Sequence, residues 1–254
     1  MALSLSRTFR SSKVPPINGS FWFIKILTTA MGEATSDYFV HRFSPEIAVL
    51  AAGLVFLVVL YWQLRAPRYL VVTYWTGVVM VSVFGTMCAD VIHVGLGVPY
   101  LVSAAGFAVL LSAVFLTWHR VEGTLSIHSI LTTRRELFYW TTVVTTFALG
   151  TAAGDMTATT LHLGYFGSGV MFVILFFVPA AAYRFLHANA IGCFWTAYIL
   201  TRPFGASFAD WMGVSHVRGG LNWGPGNVAM LLSVFIVVAV AVLRVRQPGP
   251  NSRT

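Results

Sequence analysis

One spacing recurs four times in this chain: a tryptophan, nine residues, a glycine, four residues and an aspartate. The copies are Trp22, Gly32, Asp37; Trp75, Gly85, Asp90; Trp140, Gly150, Asp155; and Trp195, Gly205, Asp210. The chain has no other aspartate, so the pattern absorbs all four. A gapless repeat of this kind restricts a chain to folds in which each unit stacks on copies of itself.

Each copy lies in an apolar run, and a second run without the pattern follows it. The eight runs cover 21–40, 47–64, 69–93, 98–118, 137–161, 165–184, 190–212 and 225–243. Each is near the roughly 20 residues that a helix needs to cross a bilayer. They are continuous, not alternating segments of about ten residues, which argues for helices over a barrel. The expectation is an all-α integral membrane protein with eight transmembrane helices. They would form four two-helix repeats over 21–68, 69–136, 137–189 and 190–246, with short tails at 1–20 and 247–254. Because a plain helix separates successive motif helices, all four motif helices run the same way. Parallel repeats are related by an axis along the membrane normal, so the arrangement is pseudo-fourfold or paired-twofold.

Composition agrees. Of the residues, 57% are hydrophobic and 9% charged, against about 25% charged in soluble domains. The net charge of +8 does not point to nucleic acid, because the cations sit in loops and tails. With the N-terminus cytoplasmic, twelve Lys and Arg fall on the inner side and only Arg42 and Arg218 on the outer. The positive-inside rule therefore puts both termini in the cytoplasm. Lys25 and Arg202 lie inside spans. Arg7, Arg10 and Lys13 are not followed by a short apolar core and a small-residue cleavage site, so no cleavable signal is expected. Cys88 and Cys193 lie in apolar runs and suggest packed thiols, not a disulfide framework.

Within each motif helix the small residue four positions after the glycine, Ser36, Ala89, Gly154 or Ala209, completes a small-xxx-small pair that suits close helix packing. The aspartate is turned some 100–140° from that stripe. The motif helices are thus expected to form an inner layer with the carboxylates facing an enclosed space, and the plain helices to face lipid. The tryptophans read as interface anchors or packing wedges.

Ionisable groups in a bilayer are costly and mark ion or proton paths. Asp37, Asp90, Asp155 and Asp210 with Glu33 make five acids against two internal cations, Lys25 and Arg202, leaving room for a divalent ion or protons. His41, His93, His162 and His216 follow the four aspartates by four, three, seven and six residues. Mixed Asp and His ligands suit Mn, Fe, Co, Ni or Zn. The leading expectation is transport or export of such a divalent metal, or proton-coupled transport. Lys25 and Arg202 would serve as counter-ions. A structural or assembly role, with the aspartates in interhelical salt bridges, is the alternative. An intramembrane hydrolase is a distant third: Ala153, Gly154 and Asp155 resemble the Gly-x-Gly-Asp of intramembrane aspartyl proteases, but Ala152 breaks the match. The cofactor is left open, with a divalent metal ion as the candidate, and no nucleic-acid partner is expected.

The stretches KILTTAMGEATSD (25–37), FALGTAAGD (147–155) and TRPFGASFAD (201–210) resemble a bacterial family of uncharacterised membrane-anchored proteins built from four tandem repeats of unknown function. The resemblance covers essentially the whole chain. It implies two membrane helices with a characteristic tryptophan per repeat, and a place in the bacterial cytoplasmic membrane. It implies no activity. The second copy departs most, reading Met-Cys-Ala before Asp90.

Overall fold

The computed structural model describes residues 12–246. The tail 247–254 and all of the tail 1–20 before Ser12, with Arg7, Arg10 and Arg253, lie outside the described residues. Among the described residues there are eight α-helices and no strand: α1 (Gly19–Arg42), α2 (Pro45–Arg65), α3 (Val71–Asp90), α4 (Tyr100–Glu122), α5 (Thr133–Asp155), α6 (Gly164–Leu186), α7 (Ala190–Gly213) and α8 (Pro225–Arg246).

Local chemistry fixes several ends. Asn18 accepts from the Phe21 amide at the start of α1, Thr132 from Arg135 at α5, and Asn189 from Ile191 and Gly192 at α7. Pro45 occupies the first turn of α2, where no amide is missed. Gly123, at φ 71°, closes α4 in the left-handed conformation. The stretch 119–136 between the fourth and fifth apolar runs therefore shrinks to a connection at 123–132, because α4 runs on past Trp118, which is fully buried, and α5 begins at Thr133.

The motif helices form a ring in chain order. α1 packs on α3, α3 on α5, α5 on α7, and α7 back on α1. Each ring helix buries twelve to fourteen residues, and each of the other four only three to five. Exposed apolar side chains cover the outer helices, among them Leu50, Leu54 and Leu57 on α2, Val109 on α4, Ile174 and Phe177 on α6, and Val234 and Val237 on α8. A surface of that kind belongs in lipid or against another apolar surface. Five helices, namely α2, α3 extended to His93, α4, α6 and α8, are long and apolar enough to cross a membrane. This is the make-up of a membrane protein. α1, α5 and α7 fall below the same mark because their threonines, glycines and charges make them less apolar.

The outer layer is offset from the sequence repeat. α2 lies on α3, α4 on α5, α6 on α7, and α8 crosses back to α1. Every plain helix thus covers the motif helix of the next repeat, and contact within a repeat is sparse. The four repeats interlock, and α8 closes the circle.

The glycines show how closely the copies correspond. A Cβ on Gly32 would strike Ser82, one on Gly85 would strike Phe147, one on Gly150 would strike Arg202, and one on Gly205 would strike Thr29. In each case the obstacle stands three residues before the next glycine around the ring. This is pseudo-fourfold packing, and it permits the close backbone approach that small residues allow. Trp75, Trp140 and Trp195 are buried wedges, with Trp140 against Gly77 and Trp195 edge-on to Trp118.

Candidate functional site

Four-residue steps on a helix keep side chains on one face, and each ring helix turns one such face to its partners. On α1 the face carries Phe21, Lys25, Thr29, Glu33 and Asp37; on α3, Tyr74, Val78, Ser82, Thr86 and Asp90. On α5 it carries Tyr139, Val143, Phe147, Thr151 and Asp155; on α7, Phe194, Tyr198, Arg202, Ala206 and Asp210. Contacts across the ring join members of the same and adjoining levels, so these faces stack as layers about 6 Å apart.

The first layer, at the tryptophan end, is aromatic. The Tyr74 and Tyr139 hydroxyls are 2.5 Å apart, and Phe21 and Phe194 lie 6.3 Å apart. In the next two layers the cations appear. Lys25 Nζ lies 4.4 Å from the centre of the Phe147 ring and 4.2 Å from that of Tyr198, and the Arg202 guanidinium stacks on the same Phe147 ring. Both cations are almost fully buried, and neither is within ion-pair distance of a carboxylate. Among the described residues the ion pairs are Lys13–Glu136, Arg134–Glu122 and Arg135–Glu122.

The fourth layer is polar. Glu33 accepts from Thr151 Oγ1 at 2.9 Å and from Thr86 Oγ1 at 3.4 Å, and Arg202 Nη2 donates to the same Thr86 oxygen at 3.4 Å. Above it lie the four aspartates. Carboxylate oxygens of Glu33, Asp37 and Asp210 fall within 4.8 Å of one another, the one group of potential metal ligands among the described residues. Asp90 is buried and accepts a hydrogen bond from Ser36 of α1. Asp155 is half-buried and outside the group.

The histidines stand apart from this cup. His41 is exposed, with Nδ1 2.7 Å from the Asp37 carbonyl oxygen on its own helix. His93 is buried, its Nε2 2.5 Å from Ser103 Oγ and its ring edge-on to Tyr100. His162 is exposed in the connection before α6, at φ 56°. His216, in the loop after α7, has Nδ1 2.8 Å from the Gly220 carbonyl oxygen. The structure thus brings together Glu33, Asp37 and Asp210 and leaves all four imidazoles elsewhere.

Two features escape a reading by motif. Thr86 and Thr151 are the counterparts of Glu33, each directly after a motif glycine, and that register alone could have flagged them. The π-turns at Val91–Gly95 and Met156–Thr160 begin right after Asp90 and Asp155, whereas α1 and α7 continue past Asp37 and Asp210 as ordinary helix. Such turns are rare and cluster at functional sites. They divide the four copies into two pairs.

No curated protein and no solved structure matches this chain. The family described as Repeat of Unknown Function (DUF347) matches residues 20–69, 73–124, 138–189 and 193–248, once for each two-helix unit. This chain belongs to that repeat family and carries four copies of the repeat in tandem.

Proposed function

We propose that this is an eight-span protein of the bacterial cytoplasmic membrane that binds a cation in an outward-facing carboxylate cup and carries a divalent metal ion or protons across the membrane. The observation that carries this reading is the convergence of Glu33, Asp37 and Asp210, with oxygens within 4.8 Å and no ion pair to any of them among the described residues. Three carboxylates so close together repel unless a cation or protons sit between them.

The all-oxygen donor set favours hard ions. Of the metals considered from sequence, Mn²⁺ suits it best, since the softer ones prefer the imidazoles that lie elsewhere. Two observations support the orientation. The eight helices return the chain to its starting side, and Arg65, Arg68, Arg120, Arg134, Arg135, Arg184, Arg244 and Arg246 all fall at the end away from the cup. The cations and rings beneath Glu33 fill the inner half of the axis, which fits a carrier that rearranges better than an open pore.

The test is metal binding to purified full-length protein, by elemental analysis and calorimetry with Mn²⁺, Zn²⁺, Ni²⁺ and Mg²⁺. Stoichiometric Mn²⁺ binding that falls at least tenfold in Asp37→Asn and Asp210→Asn is the expected result. A folded wild type that binds none of these ions, and moves no protons in liposomes, overturns the proposal. Asp90 favours the structural alternative at one position, because its bond from Ser36 ties α3 to α1.

A further inference from the structure

Arg202 is 1% exposed, yet its Nε and Nη1 have no hydrogen-bond partner. Its remaining hydrogen bond, Nη2 to Thr86 Oγ1 at 3.4 Å, is long. Thr86 in turn points its hydroxyl at Glu33. One threonine hydroxyl therefore separates a buried guanidinium with two idle nitrogens from a carboxylate that belongs to the cup. Buried charge without a partner is expensive, and the guanidinium has a flexible stem and a planar fork suited to a carboxylate. Lys25 shares the Phe147 ring and repels Arg202 towards Glu33.

We propose that Arg202 is a tethered competitor for the cup, seated on Phe147 while a cation is bound and moving onto Glu33 when the cup empties. This rests on the cation-cup reading above. Each arrangement satisfies what the other leaves open. With a cation among Glu33, Asp37 and Asp210 the carboxylates are neutralised and Arg202 rests on the ring. With no cation, Arg202 supplies the positive charge to Glu33 that the crowded acids require. The exchange makes Arg202 a determinant of affinity and gives the cup a built-in means of release, because the two positions are mutually exclusive.

Calorimetric Mn²⁺ titration of the full-length chain tests this with wild type, Arg202→Met, Phe147→Leu, Glu33→Gln and the Arg202→Met/Glu33→Gln double variant, each confirmed monodisperse. Arg202→Met keeps the stem and removes the charge, and it should tighten binding about tenfold, within the usual range for coupled equilibria. Phe147→Leu removes the seat and should weaken binding several-fold, so the two changes act in opposite directions. In the Glu33→Gln background Arg202→Met should have little effect, whereas a general field from a nearby charge would persist there. Unchanged or weakened binding in Arg202→Met, or an equal gain with Glu33 removed, overturns the competitor while leaving the cup intact. Absence of Mn²⁺ binding in folded wild type and Arg202→Met alike overturns this proposal together with the Mn²⁺ reading of the cup.

Discussion

At the scale of single residues, the motif glycines and the axial face make separate demands. Gly205 meets Thr29 and the Ala30 backbone of α1, with no free volume for a side chain. Gly205→Val should lower the thermal midpoint in detergent, at a cost of about 1–3 kcal/mol from overpacking. Gly106 on the outer face of α4 has nothing within 4 Å, and Gly106→Ala should hold or slightly raise the midpoint, since alanine is the better helix former. A thermal-shift series of both variants checks the contrast, and equal effects would count against the ring packing. The acids should also rank. Asp155→Asn should disturb Mn²⁺ binding less than Asp37→Asn or Asp210→Asn, because its carboxylate lies outside the close group; calorimetry on the three decides. The motif residues were legible in the sequence because all four copies keep them. The stripe beneath the aspartates was not, since its members change type around the ring: Lys25, Val78, Val143 and Tyr198 occupy one level, and Thr29, Ser82, Phe147 and Arg202 the next. Only the register against the glycine shows that they are equivalent. The histidines were read from their offsets as if each motif helix ran straight on, but spacing says nothing about where a helix changes course. His93 lies within one π-turn and His162 follows the other, so neither keeps the direction an ideal helix would give it.

At the scale of elements, the tryptophan end of the bundle is tied by a segment that precedes α1. Lys13 Nζ pairs with Glu136 Oε2 at 2.6 Å and donates to the Leu64 carbonyl at 2.9 Å, while Gln63 donates to Glu136 Oε1 at 2.9 Å. The Lys13 amide reaches the Ile130 carbonyl, and Tyr69 donates its amide to the Ser12 carbonyl. One short strap therefore joins the α2–α3 turn to the start of α5. Breaking a buried pair from one side leaves an uncompensated charge, at a cost of about 3–5 kcal/mol. Glu136→Met and Lys13→Met should each destabilise strongly, and the Lys13→Met/Glu136→Met double variant should recover much of the loss. Denaturation midpoints of the three in one detergent provide the check; additive losses in the double variant would refute the coupling. Composition could not show this pair, because Lys13 lies in the tail before the first apolar run and Glu136 at the margin of the fifth, places where charges usually meet water. Helix number and rough extent were legible, since runs of about 20 apolar residues leave few other options. Helix ends were not, because caps such as Gly123 and Thr132 act over a single turn.

At the scale of the whole molecule, the sequence repeat and the packing unit are different objects. Covalently, α1 goes with α2; in space, α2 covers α3 and α1 waits for α8. Hydrophobic pattern reveals which helices face lipid, but it carries no label for which neighbour an outer helix chooses, so this offset had to come from the structure. It has a consequence for stability. Cutting the chain in the 123–132 connection gives one piece with α1 to α4 and another with α5 to α8. In the first, α1 has lost α8 and α4 has no motif helix to cover; in the second, α5 is bare and α8 has nothing to close on. The ring itself is split at both α3–α5 and α7–α1. Two copies of the first piece could mimic the ring, but they would duplicate Lys25 and Glu33 and lack both Phe147 and Arg202, leaving the cations without their ring and Glu33 without Thr151. The two different pieces should therefore pair in preference to either with itself. Expressed together with a tag on one, they should co-purify at equal stoichiometry, and each expressed alone should be degraded or aggregate. A first piece that is monodisperse as a monomer by itself would show that adjacent repeats are self-sufficient, and the interlocked circle would then be wrong.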